Sequence, residues 1–234
     1  MKFVLSVTAL LLLSNSAYAE KIMLSKNQLF FEGNVKKTFD VVNLLPEKTA
    51  YFKTEVFEVQ NPEKGLKSAV TPVEVGSTRS LIVTPSRSII KPNEYRKTIS
   101  VLNTMSNLKK ERVFRILVTP VISGLKETKG VNIKLLVAYD LLVHVKPDNA
   151  SFTYNTGYDD GKMYIENTGN THFEISNGKA CTSDATECED LPLWYVYPGV
   201  KAHIPTTSTK YTEISYRVGM RGEEPRNLEL SMGK

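Results

Sequence analysis

The sequence has few of the residues and motifs from which enzyme active sites are built. It contains three histidines and two cysteines in 234 residues. No HExxH, GxSxG, P-loop or GxGxxG motif occurs. Basic residues are scattered, so the net charge of +5 does not indicate a nucleic-acid-binding surface. These absences favour a binding protein over an enzyme, with no cofactor and no metal.

The first residues have the pattern of a signal peptide. A positive start is followed by an apolar run over 3–13 and by a small-x-small cleavage site at 17–19. We predict cleavage after Ala19, which assigns 1–19 to the signal peptide and places the mature chain in an oxidising compartment. The alternative is an uncleaved membrane anchor, but the apolar run is short for a bilayer span.

The two cysteines are close together in the exported chain. Cys181 and Cys188 are separated by six residues, and in an oxidising compartment this favours a disulfide that closes a small loop. Two thiolates are half of a zinc set and have no histidine nearby, so we expect no metal there. Asp160-Gly161 predicts a hairpin turn rather than a calcium loop.

Short runs of β-branched and aromatic residues, broken by turn residues, recur along the whole mature chain. They lie at 38–43, 51–59, 81–84, 98–103, 113–121, 131–145, 162–167, 172–176, 194–197, 211–218 and 227–232. Sustained helical periodicity is missing. Pro147 and the turn residues after it divide the chain into 20–146 and 147–234. The sequence therefore predicts an all-β protein of two sandwich domains.

The run at 131–145 is longer than a small sandwich needs. As a strand it would reach about 50 Å, with one unbroken apolar face at every second residue from Val131 to Val145. We expect Tyr139 to Val145 to be a core strand. The earlier half follows a charged loop at 123–130, and an exposed apolar edge there calls for a partner chain.

Four segments, in this order, resemble the periplasmic pilus chaperones of the chaperone–usher pathway, the PapD-like family. They are 81-LIVTPSRSIIKPNEYRKTISV-101, 111-ERVFRILVTPV-121, 131-VNIKLLVAYDLLVHVKP-147 and 163-MYIENTGNTHFEIS-176. The resemblance implies two immunoglobulin-like domains in an L shape. It also implies a chaperone that lends a strand to fimbrial subunits before an outer-membrane usher assembles them.

The donor residues implied by position are Ile133, Leu135 and Val137. The free protein is expected to self-associate weakly through this edge. Two other hypotheses remain open at this stage: an adhesive or structural pilus component with an immunoglobulin-like fold, and a secreted enzyme on a β-sandwich.

The family also anchors the subunit's C-terminal carboxylate with two basic residues, and this sequence departs from that pattern. The matching positions hold Gln28 and Leu142. Our substitutes are Arg115 first, then Lys26 and Arg112, because an arginine can bind a carboxylate with two hydrogen bonds. The departure suggests a divergent, "alternate" branch of the family.

Two more positions match the family's interdomain salt bridge. Lys146 stands at the basic position and Glu111 at its acidic partner, so the resemblance implies that these two side chains pair and orient the domains. The third member falls near Gly219, so this part of the network is expected to be missing.

Overall fold

The computed structural model describes residues 22–74, 80–121 and 137–231. Eighteen strands and one short 3-10 helix, Pro62–Lys67, make up the regular structure of these residues. The first ten strands are β1 (Ile22–Leu24), β2 (Gln28–Glu32), β3 (Lys36–Asn43), β4 (Ala50–Gln60), β5 (Ala69–Pro72), β6 (Leu81–Thr84), β7 (Arg87–Ile90), β8 (Arg96–Asn103), β9 (Arg112–Pro120) and β10 (Tyr139–Lys146). The other eight are β11 (Tyr154–Asp159), β12 (Lys162–Asn167), β13 (Phe173–Cys181), β14 (Cys188–Leu191), β15 (Trp194–Val196), β16 (Lys201–His203), β17 (Glu213–Gly219) and β18 (Arg226–Ser231).

The first ten strands form a sandwich of two sheets. One sheet has the order β1-β3-β8-β6, and the other has the order β2-β10-β9-β4-β5 with β7 paired to β4. β10 lies parallel to β2 and antiparallel to β9, so it is an interior strand of its sheet. Inward-facing residues of both sheets build one core, which includes Phe31, Phe39, Phe52, Phe114 and Val143.

The last eight strands form a second, smaller sandwich. Its sheets have the orders β11-β12-β16 and β14-β13-β17-β18, with β15 paired to β13. A separate core contains Ile165, Phe173, Ile175, Tyr216 and Val218. The all-β fold of two sandwiches predicted from the sequence is confirmed.

Two local predictions in the second sandwich are also confirmed. Asp160 and Gly161 both have positive φ, 48° and 72°, and connect β11 to β12 as a two-residue hairpin. Cys181 and Cys188 form a disulfide across the β13–β14 pair.

Some predictions fall on residues that are not described. These are the signal peptide with its cleavage site after Ala19, and the donor residues Ile133 and Leu135, together with any self-association of that edge. The expected strand over 131–145 is observed from Tyr139 to Lys146. Among the described residues, no helix has the length and hydrophobicity that crossing a bilayer requires.

Candidate functional site

The outer face of the larger first-sandwich sheet brings the two expected anchor positions side by side. In the parallel β2–β10 pair, Gln28 is the register partner of Leu142. In the β9–β10 pair, Leu142 is the partner of Arg115. Gln28, Leu142 and Arg115 therefore form one row across three strands, because register partners point to the same side of a sheet.

Leu142 is part of an apolar cluster between the two sandwiches. It packs against Val59 and Val113 of the first sandwich and against Tyr197, which lies just after β15 in the second. The resemblance implies a cation at the position of Leu142. This position instead makes hydrophobic contact between the sandwiches. Leu142 is partly buried there, so a lysine at this position would lose part of the water around its ammonium, which is costly.

The structure places Arg115, the first substitute, beside this cluster with its guanidinium already engaged. Its Nη2 donates a hydrogen bond to the carbonyl oxygen of Gly65 at 2.9 Å, and its Nε lies 3.4 Å from Oδ2 of Asp140. Its side chain is 19% exposed. Arg115 borders the junction. A ligand would have to compete with Gly65 for Nη2, whereas Nε makes no hydrogen bond among the described residues.

The other two substitutes lie in different surroundings. Arg112 forms a two-pronged ion pair with Glu58, with nitrogen–oxygen distances of 2.7 and 2.6 Å. Lys26 donates to the carbonyl oxygen of Thr38 at 3.0 Å on the exposed surface. The structure therefore does not bring Arg115, Arg112 and Lys26 together into one cationic site.

A fourth cation, which the sequence analysis missed, lies in the cleft beside Gln28. The loop between β17 and β18 carries Arg221, and its guanidinium carbon lies 4.2 Å from the ring centroid of Phe30. Gln28, Phe30, Tyr195 and Arg221 all line this cleft. No local pattern marks Arg221, because only the packing of the second sandwich against the first brings it close to β2.

The buried polar centre of the junction is Glu111, immediately before β9. Its Oε1 lies 2.7 Å from Nδ1 of His144 on β10 and 2.7 Å from Nδ1 of His172 before β13. Its Oε2 accepts bonds from the hydroxyl of Thr171 at 2.9 Å and from the backbone N–H of His172 at 2.6 Å. His144 and His172 are separated along the chain, but in the structure their ring centroids lie 4.5 Å apart.

The protonation of this cluster follows from its contacts. Burial alone would raise the pKa of Glu111, but the bonds from His144 and His172 outweigh it and hold the pKa well below its usual range. Burial lowers the pKa of His144, and its bond to Glu111 only partly opposes this. Glu111 is therefore a carboxylate that accepts bonds, and His144 donates from Nδ1 as a neutral ring.

The turn that presents Thr171 and His172 is fixed by Asn167. The side-chain amide of Asn167 donates to the carbonyl oxygens of Thr171 and Val196, at 2.9 and 2.7 Å. Glycine is required at Gly169, since a Cβ there would lie 2.4 Å from the carbonyl oxygen of Ser151. The turn belongs to the 163–176 segment on which part of the family resemblance rests.

The expected pair between Lys146 and Glu111 is not formed. Lys146 is buried, and its Nζ lies 3.1 Å from the carbonyl oxygen of Arg221 and 3.3 Å from Oε1 of Glu32. Glu111 is occupied by the two histidines. Both residues do contact the second sandwich, but through different partners.

The apolar face of β10 continues towards the donor segment. Leu141, Val143 and Val145 are fully buried in the first core, which confirms the predicted core strand. Val137, two positions before β10 starts, is 46% exposed. The face that fills the core therefore emerges into solvent at its N-terminal end.

Comparisons with known proteins identify the fold. No family model matches the sequence, and no curated protein matches it. Among solved structures, the class 5 fimbriae chaperone CfaA matches with a TM-score of 0.69 and 17% identity, over 92% of this chain and 100% of that one. The chain has the fold of a fimbrial chaperone.

Two further structures agree. The Escherichia coli chaperone DraB matches with a TM-score of 0.61 and 13% identity, over 92% of this chain and 98% of that one. A chain in the complex of the Salmonella enterica SafA pilin with the SafB chaperone matches with a TM-score of 0.61 and 11% identity, over 92% of this chain and 98% of that one. The shared fold thus spans both sandwiches.

Proposed function

We propose that this chain is a periplasmic chaperone that binds pilus subunits and completes their fold by donating a β-strand. The observation that carries the proposal is the two-sandwich fold shared with fimbrial chaperones. The proposal includes the domain limits 20–146 and 147–234, cleavage after Ala19, transfer of subunits to an outer-membrane usher, and no enzymatic activity. The proposal also includes a place in the divergent, "alternate" branch, which the departure at Gln28 and Leu142 suggests.

The course of β10 supports strand donation. Its inward face is buried up to Leu141 and exposed at Val137, and the sequence continues the same alternation through Leu135 and Ile133. A subunit groove could take these side chains in turn, each contributing about 1.5–3 kcal/mol when fully buried.

Strand donation is tested by Leu135→Asp, with Lys134→Asp as the matched control on the opposite face. We expect L135D to lose the pilus subunits that co-purify with the tagged protein from periplasmic extracts, because a charge would enter the subunit core. K134D should retain them. Subunit binding and pilus assembly by a folded L135D protein at the wild-type level would refute strand donation.

For the subunit's carboxylate we propose the cleft beside Gln28, with Arg221 as the cation. Arg221 lines that cleft and Arg115 borders the junction next to it. Arg221→Ala should weaken subunit binding by more than about tenfold, since a charge-assisted bond is lost. Arg226, whose guanidinium lies over Phe152 at 5.0 Å, gives the matched control R226A. If both variants bind subunits equally well, Arg221 is not the anchor, and Arg115, Lys26 and Arg112 are the candidates to test next.

The alternative of an adhesive or structural pilus component has a separate test. Such a protein would polymerise or bind cell surfaces, whereas a chaperone remains in the periplasm and forms a complex with one subunit. Size-exclusion chromatography of the purified chain, alone and with its subunit, distinguishes the two.

A further inference from the structure

The buried cluster at the junction offers three metal-ligating side chains. Glu111, His144 and His172 each contribute one ligand atom, and these atoms lie within 4.8 Å of one another. The two histidines belong to different sandwiches. The cluster takes no part in strand donation, so an inference about it stands independently of the proposed function.

Two imidazole nitrogens and one carboxylate oxygen are a donor set that Zn²⁺ uses in proteins, with water completing the tetrahedron. Calcium and magnesium prefer oxygen ligands alone. The two cysteines of the chain are joined in the disulfide and cannot compete for the ion. The chemistry of the cluster therefore selects a transition metal, with Zn²⁺ as the first choice.

The two oxygens of Glu111 are used differently, and this suits metal binding. Oε1 faces both Nδ1 atoms, whereas Oε2 accepts from the Thr171 hydroxyl and the His172 backbone N–H and also lies 2.8 Å from Nδ1 of His172. To bind an ion through Nδ1, each neutral ring would carry its proton on Nε2 instead. The ion would then bind Oε1 and leave the bonds from the Thr171 hydroxyl and the His172 backbone N–H to Oε2 in place. Such outer bonds orient a ligating carboxylate.

The nitrogen–oxygen distances to Glu111 require only a small adjustment. Metal–ligand bonds of about 2.0–2.1 Å place the ligand atoms of a tetrahedral ion roughly 3.3 Å apart, against 2.7 Å for each Nδ1–Oε1 contact here. Rotation of the two rings can supply this difference. His172 lines the cleft beside Gln28, and Glu111 lines a second groove with Tyr197, so two of the three ligands border surface depressions.

We propose that Glu111, His144 and His172 form a Zn²⁺ site that ties the two sandwiches together. The mature chain is freed of metal with a chelator and titrated with ZnCl₂ by calorimetry. We expect one Zn²⁺ per chain and a thermal midpoint that rises with free Zn²⁺, because the ion binds the folded state. Tetrahedral Co²⁺ absorption bands should appear when CoCl₂ replaces ZnCl₂.

The decisive variants are His144→Asn and His172→Asn. The asparagine amide takes the place of the Nδ1–H donor towards Glu111 but ligates zinc poorly, so it separates hydrogen bonding from metal binding. Each variant should bind Zn²⁺ more than about 100-fold more weakly than the wild type, and its own midpoint in chelator, lowered by the lost ring packing, should not rise with Zn²⁺. H203N, at an exposed histidine 3.8 Å from Asp159, should bind like the wild type.

Three results would overturn the site and leave a hydrogen-bonded cluster only. These are a wild-type midpoint that does not respond to Zn²⁺, an absence of tetrahedral Co²⁺ bands, or a loss of affinity in H203N equal to that in H172N. The first two use the wild-type chain, so they decide the question even if an asparagine variant fails to fold.

Discussion

The two faces of β10 contact different parts of the molecule. The inward face, Leu141, Val143 and Val145, lies in the core of the first sandwich. The outward face, Leu142, His144 and Lys146, meets the second sandwich through an apolar cluster, a carboxylate and a backbone carbonyl, respectively. Substitutions on the inward face should therefore change the stability of the first sandwich. Substitutions on the outward face should change the attachment of one sandwich to the other.

The largest effect is expected on the inward face. Leu141→Ala should destabilise the first sandwich by about 2–5 kcal/mol, because it removes a fully buried side chain and leaves a cavity. Asp140→Ala, at the exposed neighbour, should cost at most about 1 kcal/mol. Urea unfolding followed by circular dichroism measures both.

The single tryptophan, Trp194, lies in the second sandwich and reports on it separately by fluorescence. We expect L141A to leave this transition unchanged. Equal shifts of both transitions would show that the sandwiches unfold as one cooperative unit and would remove the contrast between the faces.

On the outward face, Glu111→Gln should destabilise the metal-free protein by about 1–3 kcal/mol. The amide keeps one acceptor oxygen but leaves at least one buried donor unpaired. Glu32→Gln is the control, since the Glu32 side chain is 71% exposed and the change should stay within about 0.5 kcal/mol. Equal stabilities for the two variants, measured with chelator present, would contradict the role of Glu111.

The same cluster should make stability depend on pH. The pKa of His144 is lower in the folded chain than its ordinary 6.5, so the unfolded chain binds the proton first and stability falls as pH drops below about 6.5. Glu111 adds a second loss below its ordinary 4.5, because its folded pKa is lowered. Unfolding at a series of pH values, with chelator present, measures this pH dependence. His144→Phe should abolish the loss of stability below about pH 6.5, whereas H203Q should keep it.

The smallest effect is expected at Lys146. Lys146→Met removes the bonds to Arg221 and Glu32, which lowers stability, but it also removes a buried charge, which raises stability. The two effects should cancel to within about 1 kcal/mol in the free energy of unfolding. The attachment of the sandwiches should loosen even so, which small-angle X-ray scattering would detect as a broader distribution of distances. Lys201→Met, at a surface lysine, should leave the scattering unchanged.

Much of the fold was predictable because β-strands carry a local signal. The runs at 81–84 and 162–167 coincide with β6 and β12, and most of the others agree with a strand to within three residues. Seven strands were missed, namely β1, β2, β5, β7, β11, β14 and β16. Five of them have only three or four residues, which carry too little alternation to be distinguished from a loop, and β2 and β11 have five and six. The Asp160-Gly161 hairpin and the disulfide depend on neighbouring residues and were predicted correctly.

The site was predicted less completely. The alternation along β9 indicates that Arg115 points away from the core, and the structure places it in register with Leu142. The expected partner of Lys146 was wrong, because a family pattern does not reveal that His144 and His172 occupy Glu111. Arg221 was missed because it lies in a loop whose place beside β2 depends on how the sandwiches pack.

The sequence by itself determined the all-β class, the two sandwiches, the disulfide and the apolar alternation that runs through β10 towards Val137. These are consequences of residue type and of a two-residue period, which act within a few positions of the chain. Only the tertiary structure decided which polar groups meet at the junction. Glu111, His144, His172 and Arg221 converge there because strands far apart in sequence pair across sheets and two separate cores pack together, and no local pattern encodes those distances.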